Sequence, residues 1–486
     1  MSRALPRSTP AAQHVDPAAV LAFVDAVEAD PDVELHSLMV LRHGHVVTEG
    51  WWAPHTPERT RLLYSLSKSF TSTALGFALS EGLLALDDPV VAHFPELADE
   101  VTDPRSRSIT VRHVASMASG HDRDMWVEAL ARDPEDPVRG FLLLPPDDPP
   151  GTRFAYNQPC TYTLASIIQR AAGTTLSGYL RPRLLDPLGI GEVAWRAWPT
   201  TLEQGFSGLF ARTEDVAKLG LLYLQRGRWG DTRLLPEEYV ALATSRQVGT
   251  PAMENVDWRQ GYGFQFWMAR HGYRGDGAFG QFCLVLPEHD TVVATTGGTE
   301  AMQAVLDLVW THLLPGLRPA GDPVVDERTD QERLDQRLRS LALPAFQARS
   351  GRTGWEDWAD SVLAVPATTD DGATALTGIG LHREGDRLEV TLHEPDNALT
   401  VPVGNGEWLT SAPCDRDGDP VPVATSGGWL DEDTLRVEVV FLETPHRLDL
   451  TCSLPTRSAS ASWRHVPLDG GRLRTLHRPR RPAGER

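Results

Sequence analysis

Ser65 and Lys68 stand three residues apart in the segment Tyr64–Phe70, and this spacing suits proton transfer from a hydroxyl to an amine. Residues three apart on a helix lie on the same face, so a helix beginning here brings the two side chains together. A lysine whose pKa is depressed can accept the serine proton, whereas arginine stays protonated. The pair therefore predicts a nucleophilic serine with a lysine base, which is acyl-transfer chemistry.

The scarcity of lysine adds weight to this pair. The chain has 46 lysine and arginine residues together, and only Lys68 and Lys218 are lysines. A Ser-x-x-Lys spacing arises by chance in roughly one such chain in ten, so the spacing alone is only suggestive. Lys218 has no serine three residues before it and lies in an amphipathic pattern, so we expect a surface lysine there.

The elements around Ser65 alternate between helical and strand patterns. A long helix is predicted over 67–81, ended by Gly82. The pattern predicts two short strands over 37–49 about the turn 43–45, strands over 261–268, 282–286 and 291–296, and helices over 20–27, 111–118, 162–172, 213–226, 302–314 and 331–341. This mixed order favours an α+β fold with a largely antiparallel sheet flanked by helices.

Composition changes after residue 315, which predicts a second domain. Proline and aspartate are frequent over 315–330, and segments such as 387–392 and 435–439 then alternate polar and apolar residues at period two. The expected division is a flexible N-terminus (1–15), an α+β domain (16–317), a linker with a short helix (318–344), a small antiparallel β domain (345–477) and a disordered tail (478–486).

Charge and cysteine usage exclude several classes of function. The formal net charge is −20, and an acidic surface repels nucleic-acid phosphates and anionic lipid, so neither is an expected partner. No apolar run reaches membrane-spanning length. The four cysteines are scattered and form no Cys-x-x-Cys pair, so neither a disulfide framework nor a zinc site is expected, and the cytoplasm is the predicted compartment.

A series of blocks resembles the class C β-lactamase-like and penicillin-binding-protein-like serine hydrolases. The blocks appear in that family's order over roughly residues 16–317. They are Ser65–Ser72 (SLSKSFTS), Gly82–Val90 (GLLALDDPV), Ile109–Val114 (ITVRHV), Ser119–Gly120, Pro150–Asn157 (PGTRFAYN), Gly208–Val216 (GLFARTEDV), Tyr262–Trp267 (YGFQFW) and Gly280–Gln281. The resemblance implies a β-lactamase/transpeptidase-like fold with an antiparallel sheet of five or more strands. The β-rich remainder resembles the accessory domain that often follows such hydrolase domains.

The resemblance also implies a set of site residues. Ser65 attacks an acyl carbonyl while Lys68 removes its proton. Tyr156 shares the proton relay, protonates the leaving group and activates water for deacylation. The backbone N–H groups of Ser65 and of Ala278, just after Gly277, form the oxyanion hole. Gln281 is placed beside the substrate, and no cofactor is implied.

Two departures from the family pattern bear on the substrate. The second motif usually reads Tyr-x-Asn, but Gln158 occupies the amide position here, and either Gln158 or Asn157 could fill that role. The third motif, Lys-Thr-Gly, aligns with Gly275–Gly277, so the lysine that clamps a substrate carboxylate is missing. Asp276 is expected to repel such a carboxylate. A small neutral or amine-bearing ester or amide is therefore the expected substrate.

Other readings remain open at this point. β-Lactamase or D-Ala-D-Ala peptidase activity is the alternative within the family, and a slowly acylated binding or sensor protein is the alternative outside enzymes. A lipase-type triad needs Gly-x-Ser-x-Gly, which the segment 205–209 breaks. The sixteen histidines show no His-Glu-x-x-His spacing, so a metal site is not expected. The oligomeric state is left open.

Overall fold

The computed structural model describes residues 4–199, 201–319, 328–349, 361–366, 372, 374–385, 387–453 and 455–480. These residues form two compact units. The first contains the described residues up to Gly50, then 63–297 and 301–339. The second contains Trp51–Leu62, Gly298–Glu300 and the described residues from Ser340 onward.

The α-helices and β-strands of the described residues are numbered separately in chain order. The helices are α1 Pro17–Ala29, α2 Ser67–Ser80, α3 Pro104–Arg107, α4 Val111–Ala115, α5 Trp126–Arg132, α6 Pro137–Leu142, α7 Gln158–Ala172, α8 Leu176–Leu180, α9 Thr213–Leu224, α10 Glu237–Ala243, α11 Met302–Leu308 and α12 Arg328–Arg339. The first eleven strands are β1 Leu35–Arg42, β2 His45–Trp51, β3 Arg61–Leu62, β4 Ala194–Trp195, β5 Leu209–Ala211, β6 Arg228–Trp229, β7 Thr232–Arg233, β8 Trp267–Ala269, β9 Gly272–Gly277, β10 Gln281–Leu286 and β11 Thr291–Gly297. The remaining strands are β12 Ser361–Ala364, β13 Gly378–Glu384, β14 Arg387–Glu394, β15 Asn397–Pro402, β16 Gly404–Asn405, β17 Leu409–Ser411, β18 Val423–Trp429, β19 Thr434–Phe441, β20 Arg447–Ser453 and β21 Ser458–Trp463.

A six-stranded sheet forms the centre of the first unit, in the order β2-β1-β11-β10-β9-β8. The pairings of β11 with β1 and β10, and of β9 with β10 and β8, are antiparallel. Helix α9 packs against β1, β10 and β11, and α1 packs against α11 and α12. The predicted antiparallel sheet flanked by helices is therefore confirmed.

Helix α2 is buried over Ser67–Ala78 although much of it is serine and threonine. Buried hydroxyls are tolerated only when they are hydrogen-bonded. The Ser72 hydroxyl donates to the Phe264 carbonyl (2.6 Å), and the Thr71 hydroxyl donates to the Gly205 carbonyl (2.8 Å). These bonds connect the segments around Gly205 and Phe264 to the helix that carries Lys68. The polar residues of α2 therefore stabilise the surrounding loops.

Among the predicted elements that differ from the structure, the helix expected over 111–118 ends at Ala115. The strand expected over 261–268 is confined to β8, because Gly261 and Gln265 have positive φ values of 112° and 62° that no strand accommodates. The helix expected over 302–314 ends its α-helical part at Leu308 and continues as a π-helical turn over Val309–Leu313. The predicted strand pair about the turn 43–45 corresponds to β1 and β2.

The second unit is built on a ten-stranded sheet. Its main path is β15-β14-β13-β12-β21-β20-β19-β18-β16, with β17 on β18. Most pairings are antiparallel, as predicted, but β12 pairs with β21 and β16 with β18 in parallel. Alternating residues such as Leu388, Val390 and Leu392 of β14 are buried in its core, which is what the period-two pattern indicates.

The unit boundaries depart from the expected domains at several places, and Trp51–Leu62 and Gly298–Glu300 belong to the second unit although they fall within the expected 16–317 domain. Residues 5–15 are held on the first unit rather than being free: the Ser8 N–H donates to the Val46 carbonyl (2.9 Å), and Leu5 is buried. Helix α12 also belongs to the first unit, where Arg337 pairs with Asp25 (2.9 Å). Residues 320–327 of the expected linker and 481–486 of the expected tail lie outside the described residues.

None of the described helices is both long and apolar enough to cross a bilayer. The four cysteines are free thiols, three of them buried and Cys414 exposed. The compartment in which the protein works stays a prediction.

Candidate active site

The predicted nucleophile lies on a tight turn in front of helix α2. Residues Tyr64–Leu66 form a single 3₁₀ turn, and α2 begins at Ser67. Tyr64 has a φ of 47°, an unusual conformation for a non-glycine residue that places the next side chain at an abrupt angle. Ser65 is half-buried, whereas its neighbours on both sides are buried. The turn therefore presents Ser65 at the edge of an otherwise closed region.

Lys68 is the second residue of α2, and its side chain is almost wholly buried. Its Nζ lies 3.1 Å from Ser65 Oγ, 2.7 Å from Gln158 Oε1 and 2.8 Å from the Phe206 carbonyl oxygen. An amide oxygen and a carbonyl can only accept hydrogen bonds, so they take two N–H groups. A neutral amine has two N–H groups and one lone pair, which leaves the lone pair facing Ser65.

Burial depresses the pKa of Lys68 to about 7. The negative charges of Asp124 and Asp276 act in the opposite direction and raise it, but less strongly. An ordinary lysine has a pKa near 10.4 and is fully charged at neutral pH. A substantial fraction of Lys68 is therefore neutral at pH 7 and able to accept a proton.

The two amides after Tyr156 have separate tasks. Gln158 begins α7 and its Oε1 accepts from Lys68. Asn157 is fully buried, and its Oδ1 accepts from the Met125 N–H (2.9 Å). Its Nδ2 is directed to Ser119 Oγ (3.4 Å). Of the two alternatives left open by the sequence, Gln158 touches the lysine, while Asn157 holds the loop around Met125.

Tyr156 lies beside the pair. Lys68 Nζ lies 4.8 Å from the centre of the Tyr156 ring, and the Ser65 side chain acts to lower the pKa of Tyr156 against the effect of burial. Burial is the main cause that raises the pKa of Tyr156 well above its usual value, and the charge of Asp276 adds to it. Trp267 stacks on the ring at 5.5 Å between centroids. Tyr156 is therefore a protonated donor at neutral pH.

Strand β9 runs against the nucleophile turn at very short range. A Cβ on Gly277 would meet the Leu63 carbonyl oxygen at 2.0 Å and the Leu66 nitrogen at 3.0 Å. Only a residue without a side chain fits there. This contact places Ala278, the residue after β9, next to Ser65 in the fold.

Gln281 has a different position from the one predicted. Its Nε2 donates to the carbonyls of Ala278 (3.1 Å), Phe279 (3.0 Å) and Gly297 (2.9 Å). The side chain is fully buried. Its amide is committed to the backbone of the turn after β9, so Gln281 braces that turn and does not face a substrate.

Gly277→Ala is expected to lower kcat/KM at least tenfold and to destabilise the fold by about 1–3 kcal/mol, because the added methyl forces β9 away from the nucleophile turn. Steady-state kinetics and thermal unfolding measure the two effects. Gly249→Ala is the matched control, since its Cβ would meet only Pro251 Cδ at 3.8 Å. Full activity in Gly277→Ala would contradict the close contact.

Comparison with known proteins places this arrangement in a family. The family model described as Beta-lactamase matches residues 23–300, which is more than half of the chain. The chain belongs to the beta-lactamase family. The match includes the turn with Ser65, the start of α2 with Lys68, and Tyr156, so the residues brought together in the structure lie within the family region.

Two relatives are hydrolases. A 6-aminohexanoate-dimer hydrolase of Paenarthrobacter ureafaciens is 28% identical over 285 residues, covering 53% of this chain and 71% of that protein. A lovastatin esterase of Penicillium rubens is 28% identical over 176 residues, covering 32% of this chain and 42% of that protein. These relatives support hydrolase activity for this beta-lactamase-family chain without specifying a substrate.

Solved structures show the same fold. A candidate beta-lactamase from Bacteroides dorei aligns with a TM-score of 0.51 at 16% identity, covering 62% of this chain and 99% of that one. A candidate 6-aminohexanoate-dimer hydrolase from Bacillus anthracis aligns with a TM-score of 0.50 at 17% identity, covering 69% of this chain and 86% of that one. The predicted α+β, β-lactamase-like fold is confirmed.

The family's third motif has an unexpected composition here. Asp276 does not stand as an isolated negative charge, because Arg274 Nε lies 3.0 Å from its Oδ2 and both side chains are buried. Alternate residues of a strand share a face, so the sequence contained the signal for this pair. The expected repulsion of a carboxylate by Asp276 is therefore largely cancelled. Arg274 does not replace the missing lysine, since its guanidinium is wholly enclosed.

The sequence pattern also missed two residues that surround Lys68. Asp124 accepts from the Gln158 N–H (3.0 Å) at the start of α7, and the Phe206 carbonyl accepts from Lys68. The Trp126 ring lies 4.8 Å from the Phe206 ring and 5.3 Å from the Tyr162 ring, measured between centroids. Neither Asp124 nor Phe206 stands at a regular sequence spacing from Lys68 that would predict a role in the site, because both lie on loops that only the fold brings close to it.

Lys218 is not the surface lysine that was expected. It is buried in α9, where its Nζ donates to the Gly189 carbonyl (3.2 Å) and lies 3.6 Å from Glu214. It therefore has a structural pairing away from Ser65. The described residues contain no group of three or more histidine, cysteine, aspartate or glutamate side chains that could hold a metal ion.

Proposed function

We propose that this beta-lactamase-family protein is a serine hydrolase that acts on a small ester or amide through an acyl-enzyme intermediate on Ser65. The observation that carries the proposal is the buried Lys68 amine, 3.1 Å from the hydroxyl of the half-buried Ser65. The Ser119 hydroxyl and His121 Nδ1 also lie 3.0 Å apart, but both of those side chains are buried, whereas Ser65 is only partly buried and its base has a pKa of about 7.

In acylation, Ser65 Oγ forms a bond to the substrate carbonyl carbon while its proton passes to the lone pair of Lys68. The negative charge moves to the carbonyl oxygen, and the Ser65 and Ala278 N–H groups are the donors proposed to receive it. The bond to the leaving group then breaks. Tyr156 gives its proton to the departing oxygen or nitrogen and regains one from Lys68.

Deacylation follows the same path with water as the nucleophile. Water gives one proton to the Tyr156 oxygen as it attacks the acyl carbon, and Tyr156 passes its own proton to the neutral Lys68 amine. Lys68 then returns one proton to Ser65 Oγ as the ester bond to the enzyme breaks. The net reaction is ester or amide plus water to carboxylic acid plus alcohol or amine. The serine, lysine and tyrosine end in their starting protonation states.

The charges around Ser65 favour substrates without a carboxylate at the scissile bond. The third-motif lysine is absent, and the nearby cation Arg274 is enclosed and paired with Asp276. The exposed carboxylate of Asp124 acts on Lys68 and disfavours a second anion. A neutral or amine-bearing acyl compound suits this environment better than a penicillin-type acid.

The kcat/KM of the purified protein for short p-nitrophenyl esters is expected to exceed that for nitrocefin at least tenfold, because nitrocefin carries the carboxylate for which no clamp is available. Both are measured by absorbance at one pH, with Ser65→Ala as the background. A preference for nitrocefin would overturn the substrate assignment in favour of a β-lactamase. A permanent acyl adduct without turnover, seen by intact-mass spectrometry, would favour a binding or sensor protein.

A further inference from the structure

Arg274 and Asp276 form a buried ion pair that the catalytic sequence above does not use. Arg274 has no exposed surface, and its Nε is 3.0 Å from Asp276 Oδ2. Its Nη1 donates to the carbonyls of Asp257 (3.2 Å) and Met268 (2.9 Å). Burying a cation is expensive unless partners compensate it, so this pairing is a specific feature of the site.

The pair lies next to the reacting groups. Asp276 stands on β9 between Gly275 and Gly277, and a Cβ on Gly275 would meet Ser69 Oγ of α2 at 2.5 Å. Asp276 acts electrostatically on both Lys68 and Tyr156. Its carboxylate is therefore the charge on β9 that the base and the acid of the proposed relay experience.

Arg274 also reaches Tyr156 through an aromatic contact. It is opposite Trp267 in the register of β8 and β9, and its guanidinium lies 5.9 Å from the Trp267 ring and 4.3 Å from the Trp258 ring. Trp267 in turn stacks on Tyr156. Cations at these distances over indole rings are attracted to them. One buried side chain thus contacts the carboxylate beside Lys68 and the ring beside Tyr156.

We propose that Arg274 is a positioning residue for the reaction proposed above: it cancels the charge that Asp276 would otherwise place beside Lys68 and holds Trp267 against Tyr156. Arg274 contacts none of the reacting atoms itself. Arg274 lies on β9, the strand that carries the third motif, but its side chain is buried. It therefore acts on the base Lys68, whereas the lysine usual in this motif acts on the substrate. This inference rests on the proposed serine hydrolase function.

The other charged and titratable groups around the base are accounted for. Lys68 interacts electrostatically with Asp124, Asp276 and Cys160. Asp276 interacts with Arg274 and Lys68. Arg274 interacts with Asp257, Asp276 and Tyr156. Burial raises the pKa of Cys160 to about 12, so this thiol is neutral. Asp257 is compensated by Arg270 at 2.8 Å. Asp276 is thus the carboxylate whose effect on Lys68 depends on Arg274.

The test is the pH profile of kcat/KM for a p-nitrophenyl ester in three variants of the full chain. Arg274→Met leaves Asp276 uncompensated, so Lys68 holds its proton more tightly and the rise in activity moves up by about one pH unit. Asp276→Asn leaves the Arg274 guanidinium uncompensated, so Lys68 loses its proton more readily and kcat/KM rises at a lower pH than in the wild type. The double variant Arg274→Met/Asp276→Asn is expected to return the midpoint to that of the wild type.

Arg170→Met, which removes an exposed arginine paired with Glu96, is the matched control and is expected to leave the midpoint unchanged. If Arg274→Met does not fold, Asp276→Asn still tests the inference through the downward shift of its pH midpoint. This variant is expected to fold, because the asparagine oxygen can accept a hydrogen bond from Arg274. Midpoints that stay at the wild-type value in the foldable variants, with only the amplitude lowered, would overturn the inference. Full activity in Ser65→Ala would instead overturn the proposed function, so the two failures are distinguishable.

Discussion

Ser65→Ala is expected to lower kcat/KM for ester hydrolysis by at least about 10³-fold, because no acyl-enzyme can form without the hydroxyl. Ser65 is half-buried at the edge of the α2 region, and the hydroxyl is small, so the fold and its unfolding temperature are expected to change little. Steady-state kinetics with a p-nitrophenyl ester measure the activity, and thermal unfolding measures the stability.

The chain offers a control on the same helix. Ser80 ends α2, is exposed, and donates its hydroxyl only to the Phe77 carbonyl (2.8 Å). Ser80→Ala is therefore expected to retain wild-type activity. Intact-mass spectrometry with a fluorophosphonate adds a second readout, in which the wild type gains one adduct and Ser65→Ala gains none. An adduct that persists in Ser65→Ala would place the nucleophile elsewhere.

Lys68→Arg is expected to lower kcat/KM by about 10²–10⁴-fold, since the substitution removes a general base and keeps a positive charge. A guanidinium stays protonated throughout the accessible range of pH and has no lone pair to offer Ser65. The amine of Lys68 has a pKa of about 7. In the wild type, activity therefore rises as pH increases through 7, because the neutral amine is the active form.

The remaining lysine provides the control for this substitution. Lys218 is also buried, but it is paired with Glu214 on α9. Lys218→Arg keeps that charge pairing and is expected to leave the pH profile unchanged. The kcat/KM of the wild type, Lys68→Arg and Lys218→Arg is measured across the neutral range of pH. A Lys68→Arg variant with a wild-type profile would show that another group accepts the Ser65 proton.

The local part of the site could be predicted from the sequence. Ser65 and Lys68 are three residues apart, so one helical turn is sufficient to bring them together, and the structure places their polar atoms 3.1 Å apart. The blocks around Tyr156 appear in the family's order, and the fold they imply is confirmed. Helix α2 and strands β1 and β2 were likewise predictable, since their periodicity and turn residues are local signals.

Contacts between distant segments were not predictable in the same way. Gln158 and Asn157 are adjacent amides, and only the start of α7 decides which of them reaches Lys68. Phe206 lies 138 residues from Lys68 and contributes a backbone carbonyl, which every residue possesses and no side-chain pattern reveals. The Gln281 amide could bind a substrate, but it donates to the backbone carbonyls of its own turn and of Gly297 on β11.

The sequence alone determined that a serine and a lysine share one helical turn, which is the spacing that the proposed acyl transfer needs. The tertiary structure decided the environment, and hence the pKa, of that lysine. Lys68 and Lys218 have the same chemistry and both are buried, but Lys218 lies 3.6 Å from the Glu214 carboxylate, whereas Lys68 has two neutral acceptors and a serine hydroxyl. Desolvation without a contacting carboxylate lowers its pKa towards neutrality, and that environment is assembled from segments far apart in the chain.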